Sequence, residues 1–195
     1  MRLESGRLLA AAVLAASVIG CSGGEPLPEL VPIGEFALVD QDGRPFGNDD
    51  LRGKVWIVDF VFTSCRNACP VLTTQMANLH RRIDSPDVRF VSVSVDPATD
   101  TPERLREYAA RFRADTSRWT FLTGDPATVR LTIERAFRQP VGERTELGEG
   151  GYDILHANRF MLVDRRGMLR GLYETDAEGL ERLERDALRL VAEGG

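Results

Sequence analysis

Val55-Trp56-Ile57-Val58-Asp59-Phe60-Val61-Phe62-Thr63-Ser64-Cys65-Arg66-Asn67-Ala68-Cys69-Pro70 runs from an almost unbroken apolar stretch into two cysteines four positions apart and a proline. A continuous apolar run rich in β-branched and aromatic residues is the pattern of a strand buried on both faces of a central sheet. Pro70 suits the first turn of a helix, and Val71, Leu72, Met76, Leu79 and Ile83 follow at helical spacing through residue 83. One β-α step results, with both cysteines at its turn, on the edge where open α/β sheets gather ligands.

The same alternation continues outward. Val88 to Val95 alternates strictly and is β-branched, so it reads as a second strand. Thr101-Pro102-Glu103 then supplies an N-cap, a proline and an acid for a helix through Phe112. Trp119 to Leu122 reads as a short strand, and Asp125-Pro126 opens a helix toward Phe137. Arg159 to Val163 and Met168 to Tyr173 flank the turn Asp164-Arg165-Arg166-Gly167, and Asp176 to Ala192 closes as an amphipathic helix. Upstream, Glu35 to Asp40 reads as a short edge strand. This order is that of an α/β, thioredoxin-like fold: a central mixed, mostly parallel sheet with helices on both faces.

The first twenty residues read as an address. Arg2 and Arg7 precede the apolar run Leu8 to Ile19, which is too short to span a membrane and ends in Val18-Ile19-Gly20-Cys21. That ending resembles the lipobox of bacterial lipoproteins, in which the cysteine becomes the lipidated mature N-terminus; the alternative is a plain secretory signal. The expected organisation is a signal peptide over 1–20, a Gly- and Pro-rich tether over 21–32 with lipidation at Cys21, and one domain over 33–195. The expected place is the bacterial cell envelope, on the periplasmic or other extracytoplasmic side. A formal net charge of −5 without basic clusters gives no footprint for nucleic acid.

With Cys21 assigned to the anchor, Cys65 and Cys69 are an exported pair, and a structural disulfide, a redox dithiol and a metal site all fit it. A disulfide across so short a loop stabilises little by chain entropy. A position in the first turn of a helix favours the thiolate of Cys69. Of the two histidines, His80 sits late in the helix beside Arg81 and Arg82, and is expected to face solvent or cap the C-terminal turn, without function. His156 follows the glycine-bearing loop Gly150-Gly151 and precedes the strand Phe160 to Val163, a place that can return it to the cysteine edge. Two thiolates and an imidazole suit copper, whereas zinc asks for a fourth ligand. Asp96, Asp100 and Glu103 read as turn and helix-start residues rather than a cation site.

Gly53-Lys54-Val55, Phe60-Val61-Phe62-Thr63-Ser64-Cys65 through Cys69-Pro70, Val93-Ser94-Val95-Asp96-Pro97 through Leu105, Trp119 to Gly124 and Tyr152 to His156 occur in an order that resembles the Sco/SenC family, from about residue 34 to 173. The resemblance implies a thioredoxin-like domain that binds one copper, as Cu(I) or Cu(II), through Cys65, Cys69 and His156. It implies delivery of copper to the CuA site of cytochrome c oxidase subunit II, or maintenance of that site's thiols. Many members carry Cys-Pro-Asp-Val-Cys; here Arg66-Asn67-Ala68 stands between the cysteines, replacing an acid by an amide and adding a cation that favours ionised thiols. The alternative function is a thiol-disulfide oxidoreductase in which Cys65 attacks a partner disulfide and Cys69 resolves it, without need of His156. Three residues between the cysteines, against two in thioredoxin-type redox motifs, favour metal.

Overall fold

The computed structural model of the chain describes residues 25–65, 68–148 and 150–193. The expected signal segment, Cys21 and the loop residues Arg66 and Asn67 lie outside the described residues.

Val55–Val61 (β4) is the central strand, and all of it is buried. It pairs in parallel with Val88–Ser94 (β5), which pairs in parallel with Trp119–Leu122 (β6). On its other flank it meets Phe160–Val163 (β9) antiparallel, followed by Met168–Tyr173 (β10) and Val31–Pro32 (β1), also antiparallel. The sheet order is β1-β10-β9-β4-β5-β6. The sheet is mixed, as expected, but the terminal hairpin and β1 make its parallel strands one half rather than the majority.

The two faces of β4 explain the layers. Trp56, Val58 and Phe60 pack with Val129 of Pro126–Leu131 (α4) and with Ile133 and Phe137, which lie in and after the π-helical turn Thr132–Ala136 that continues it. Trp56 and Phe60 each meet the Phe137 ring edge-on, at 6.3 and 5.7 Å. Val55, Ile57 and Val61 point the other way, into Leu72 and Met76 of Ala68–Arg82 (α2), Leu105 and Tyr108 of Pro102–Arg111 (α3) and Leu183 and Leu190 of Ala177–Glu193 (α5). Each such side chain contributes roughly 1.5–3 kcal/mol on burial. Helices therefore cover both faces, and the strand is apolar but for Asp59 because it is shielded twice.

Three expectations are refined. The short edge segment narrows to Ala37–Val39 (β2), which pairs with Pro45–Gly47 (β3) in a small hairpin ahead of the short helix Asn48–Leu51 (α1) and meets the main sheet through the bridge of Val39 to Thr123. The chain also joins the fold before Ile33. Leu30 N–H donates to the Leu169 carbonyl at 2.9 Å, and the buried Arg170 reaches the carbonyls of Leu27 and Pro28 at 2.6 and 2.9 Å while pairing with Asp164. Finally, the glycine-bearing loop before His156 contains a hairpin, Arg144–Gly148 (β7) with Gly151–Ile154 (β8), turned by Gly148 and Gly150 at positive φ.

Candidate metal centre

β4 ends by feeding Phe62, Thr63 and Ser64 into the turn before Cys65, and this turn is fixed from beneath by Asp100. The Thr63 amide donates to both Asp100 carboxylate oxygens at 3.2 Å and its hydroxyl to one at 2.6 Å. Ser94, the last residue of β5, donates to the same carboxylate at 2.6 Å. Asp100 is fully buried, so its work is to anchor the cysteine loop, which corrects its reading as a helix-start acid. The helix start itself belongs to Thr101, which caps α3 by accepting from the Arg104 amide, with Pro102 and Glu103 behind it as expected. Asp96 does turn the chain, accepting the Thr99 and Asp100 amides on its carbonyl at 3.0 and 2.8 Å.

The two cysteines are present as thiols and differ sharply. Cys69 lies in the first turn of α2 and is completely buried, whereas Cys65 is half-buried at the loop. The Cys69 amide, one of the unpaired N–H groups of the helix start, donates to the Cys65 sulfur at 3.4 Å. The helix end thus serves the Cys65 sulfur. A hydrogen bond with Cys65 and then burial push the Cys69 thiol far above its ordinary range. This runs against the expectation that position alone would ionise Cys69: the hydrogen bond with Cys65 and then desolvation outweigh the helix dipole.

His156 arrives from the far end of the chain. Its Nε2 stands 3.7 Å from the Cys69 sulfur, and its ring meets Phe62 edge-on at 6.0 Å. Its Nδ1 lies 3.2 Å from the Ala157 carbonyl, an acceptor only, so Nδ1 carries the proton and Nε2 presents its lone pair to the sulfur. Burial lowers the imidazole pKa, which keeps the ring neutral beside a neutral thiol. A metal with bonds of about 2.3 Å to sulfur and 2.0 Å to nitrogen, at tetrahedral to trigonal angles, separates the two donors by roughly 3.5–3.7 Å. The Cys69–His156 spacing fits that span. Among the described residues no three His, Cys, Asp or Glu side chains stand together as a ready-made metal site.

His80 belongs elsewhere. It is buried, packed on Phe90 at 5.0 Å and on Trp119 at 5.8 Å, and its Nε2 has no partner. The expectation of a solvent-facing residue fails because α2 presses its last turn onto β5 and β6. Sequence reading also passed over Tyr152, whose ring stacks on Phe62 at 5.7 Å and whose hydroxyl donates to Asp96. The glycines Gly148, Gly150 and Gly151 between two short segments were the available signal for the hairpin that carries it.

The chain as a whole is similar to known proteins. The family model described as SCO1/SenC matches residues 27–191. The crystal structure of a SCO1/SenC family lipoprotein from Bacillus anthracis is 36% identical, covers 83% of this chain and 95% of that chain, and superposes with a TM-score of 0.72. Copper-bound ScoI from Bradyrhizobium japonicum is 26% identical over 83% of this chain and 99% of its own, with a TM-score of 0.71. The structure that identified a disulfide switch in BsSco, a member of the Sco family of cytochrome c oxidase assembly proteins, is 28% identical over 83% and 94%, with a TM-score of 0.69. With the family match spanning nearly all of the described residues, the chain belongs to the SCO1/SenC family.

Proposed function

We propose that this chain is a membrane-tethered, extracytoplasmic copper-binding protein. In this reading Cys65, Cys69 and His156 hold the metal, and Cys21 carries the lipid. Copper is its cargo, passed to the CuA site of cytochrome c oxidase subunit II, or the dithiol keeps that site's cysteines reduced. The observation that carries this reading is the approach of His156 Nε2 to the Cys69 sulfur at 3.7 Å, across 87 positions of sequence. A redox dithiol has no need of an imidazole with its lone pair turned to a thiol; a soft metal does. The relatives that are copper-bound, a lipoprotein or assigned to oxidase assembly support the metal, the anchor and the partner in turn.

The chain's own part in uptake is a matter of protons. Each thiol that becomes a ligand gives up its proton. His156 gives up none, because Nε2 is already bare. The raised Cys69 thiol makes its deprotonation the costly step, so copper affinity is expected to rise with pH.

One observation favours a second role for the same pair. The half-buried Cys65, whose sulfur accepts an amide hydrogen bond, is placed to attack, and the sealed Cys69 to resolve. The separating experiment mixes the copper-loaded chain with the copper-free, reduced CuA domain of subunit II, and in parallel the metal-free reduced chain with the same domain in its disulfide form. Appearance of CuA absorption in the first mixture is expected. Failure there, with rapid disulfide reduction in the second, would make the protein a thiol reductant.

A further inference from the structure

His156 sits two residues beyond a hairpin with little holding it down. Every residue of β7 is exposed, and a two-stranded hairpin alone is marginally stable in water. Apart from Ile154, which is buried in the core, its attachments converge on Tyr152. The Tyr152 ring stacks on Phe62, the residue that closes β4, and its hydroxyl donates to the Asp96 carboxylate. The Arg144 guanidinium lies 3.6 Å from the centre of the same ring. Asp96 donates its amide to the Ser94 hydroxyl at 3.0 Å, Ser94 donates to Asp100, and Asp100 holds Thr63 two residues before Cys65. A single run of hydrogen bonds therefore joins the hairpin that carries the histidine to the loop that carries the cysteines.

We propose that Tyr152 is a positioning residue: by gripping Asp96 and Phe62 it seats the β7–β8 hairpin so that His156 stands over Cys69 before metal arrives. Without that grip, bringing His156 to the sulfur would require ordering the hairpin at the moment of binding, and the cost would appear as lost affinity. The hydroxyl and the ring act separately, since one holds the loop after β5 and the other the end of β4. This rests on the reading of His156 as a ligand, but the seat itself exists without metal.

The test therefore has a metal-free arm. In the metal-free, reduced chain, nuclear Overhauser contacts between the His156 and Phe62 rings, and exchange of the Gly142 amide bound to the Leu155 carbonyl, report the seat directly. Tyr152→Phe and Asp96→Ala are each expected to weaken the contact, speed that exchange, and lower Cu(I) affinity by roughly tenfold, the low end for residues that support a ligand. The double variant is expected to lose little more than either single one, because both break one bond. Full ring contacts and unchanged exchange in both variants would overturn the proposal. Weakened contacts with wild-type copper affinity would overturn its link to metal. If His156→Ala binds copper as wild type does, the ligand reading fails, while the metal-free arm still decides the seat.

Discussion

The Cys65 sulfur takes the amide proton at the start of α2, whereas the Cys69 sulfur lies sealed against Phe62 and His156, so two chemically identical side chains become unequal. Alkylation by iodoacetamide at neutral pH, followed by peptide mass spectrometry, is expected to modify Cys65 at least about tenfold faster than Cys69. Equal rates would contradict the burial described. Asp59 offers a second test. It is buried in β4, accepts from Ser92 at 2.6 Å, leaves its second oxygen unpaired, and is pushed by burial from 3.8 to about 7. Because the folded chain holds this proton more tightly than the unfolded one, stability falls as pH rises from about 4 to about 7. Asp59→Asn keeps an acceptor for Ser92 and cannot ionise. It is expected to gain up to about 4 kcal/mol at pH 8, three units at roughly 1.4 kcal/mol each, and little at pH 4. Urea unfolding at the two pH values checks this, and an equal gain at both would contradict it.

The elements show where pattern reading ends. The apolar run of β4, the alternation of β5 and the Thr101-Pro102 start of α3 were all legible, because each records burial or capping in the residues themselves. The hairpin β7–β8 was not, since its exposed residues carry no apolar alternation and only its glycines mark the turn. The burial of His80 was equally hidden: a polar residue beside two arginines reads as surface until β5 and β6 are placed beneath it. Burial lowers the His80 pKa, so the unfolded chain takes up a proton first and stability is lost as pH falls below about 6.5. His80→Leu is expected to flatten that acid limb in melting curves. Gly179 inverts a propensity rule. Alanine usually stabilises a helix by about 1 kcal/mol over glycine. Here an added Cβ would lie 2.2 Å from the Glu174 carbonyl oxygen, so Gly179→Ala is expected to cost roughly 1–3 kcal/mol and lower the melting temperature.

At the scale of the whole molecule, the order of strands determines which distant residues can meet. The parallel core β4-β5-β6 directs the loops that carry Cys65 and Asp100 to one edge, and the hairpin before β9 brings His156 back to it. That convergence was legible in outline from the cysteine turn and the place of His156. The grip of Tyr152 on Asp96 and the anchoring role of Asp100 were not, because both depend on which loops the sheet sets side by side. The central claim is that this edge binds one copper through three residues from two separate parts of the chain. The most direct measurement is copper stoichiometry and competition affinity of the reduced chain, read with its ultraviolet-visible spectrum, for wild type, His156→Ala and Cys65→Ser. One copper in wild type, with affinity at least about tenfold weaker in each variant, is the expected result. Copper held by His156→Ala as tightly as by wild type would contradict it.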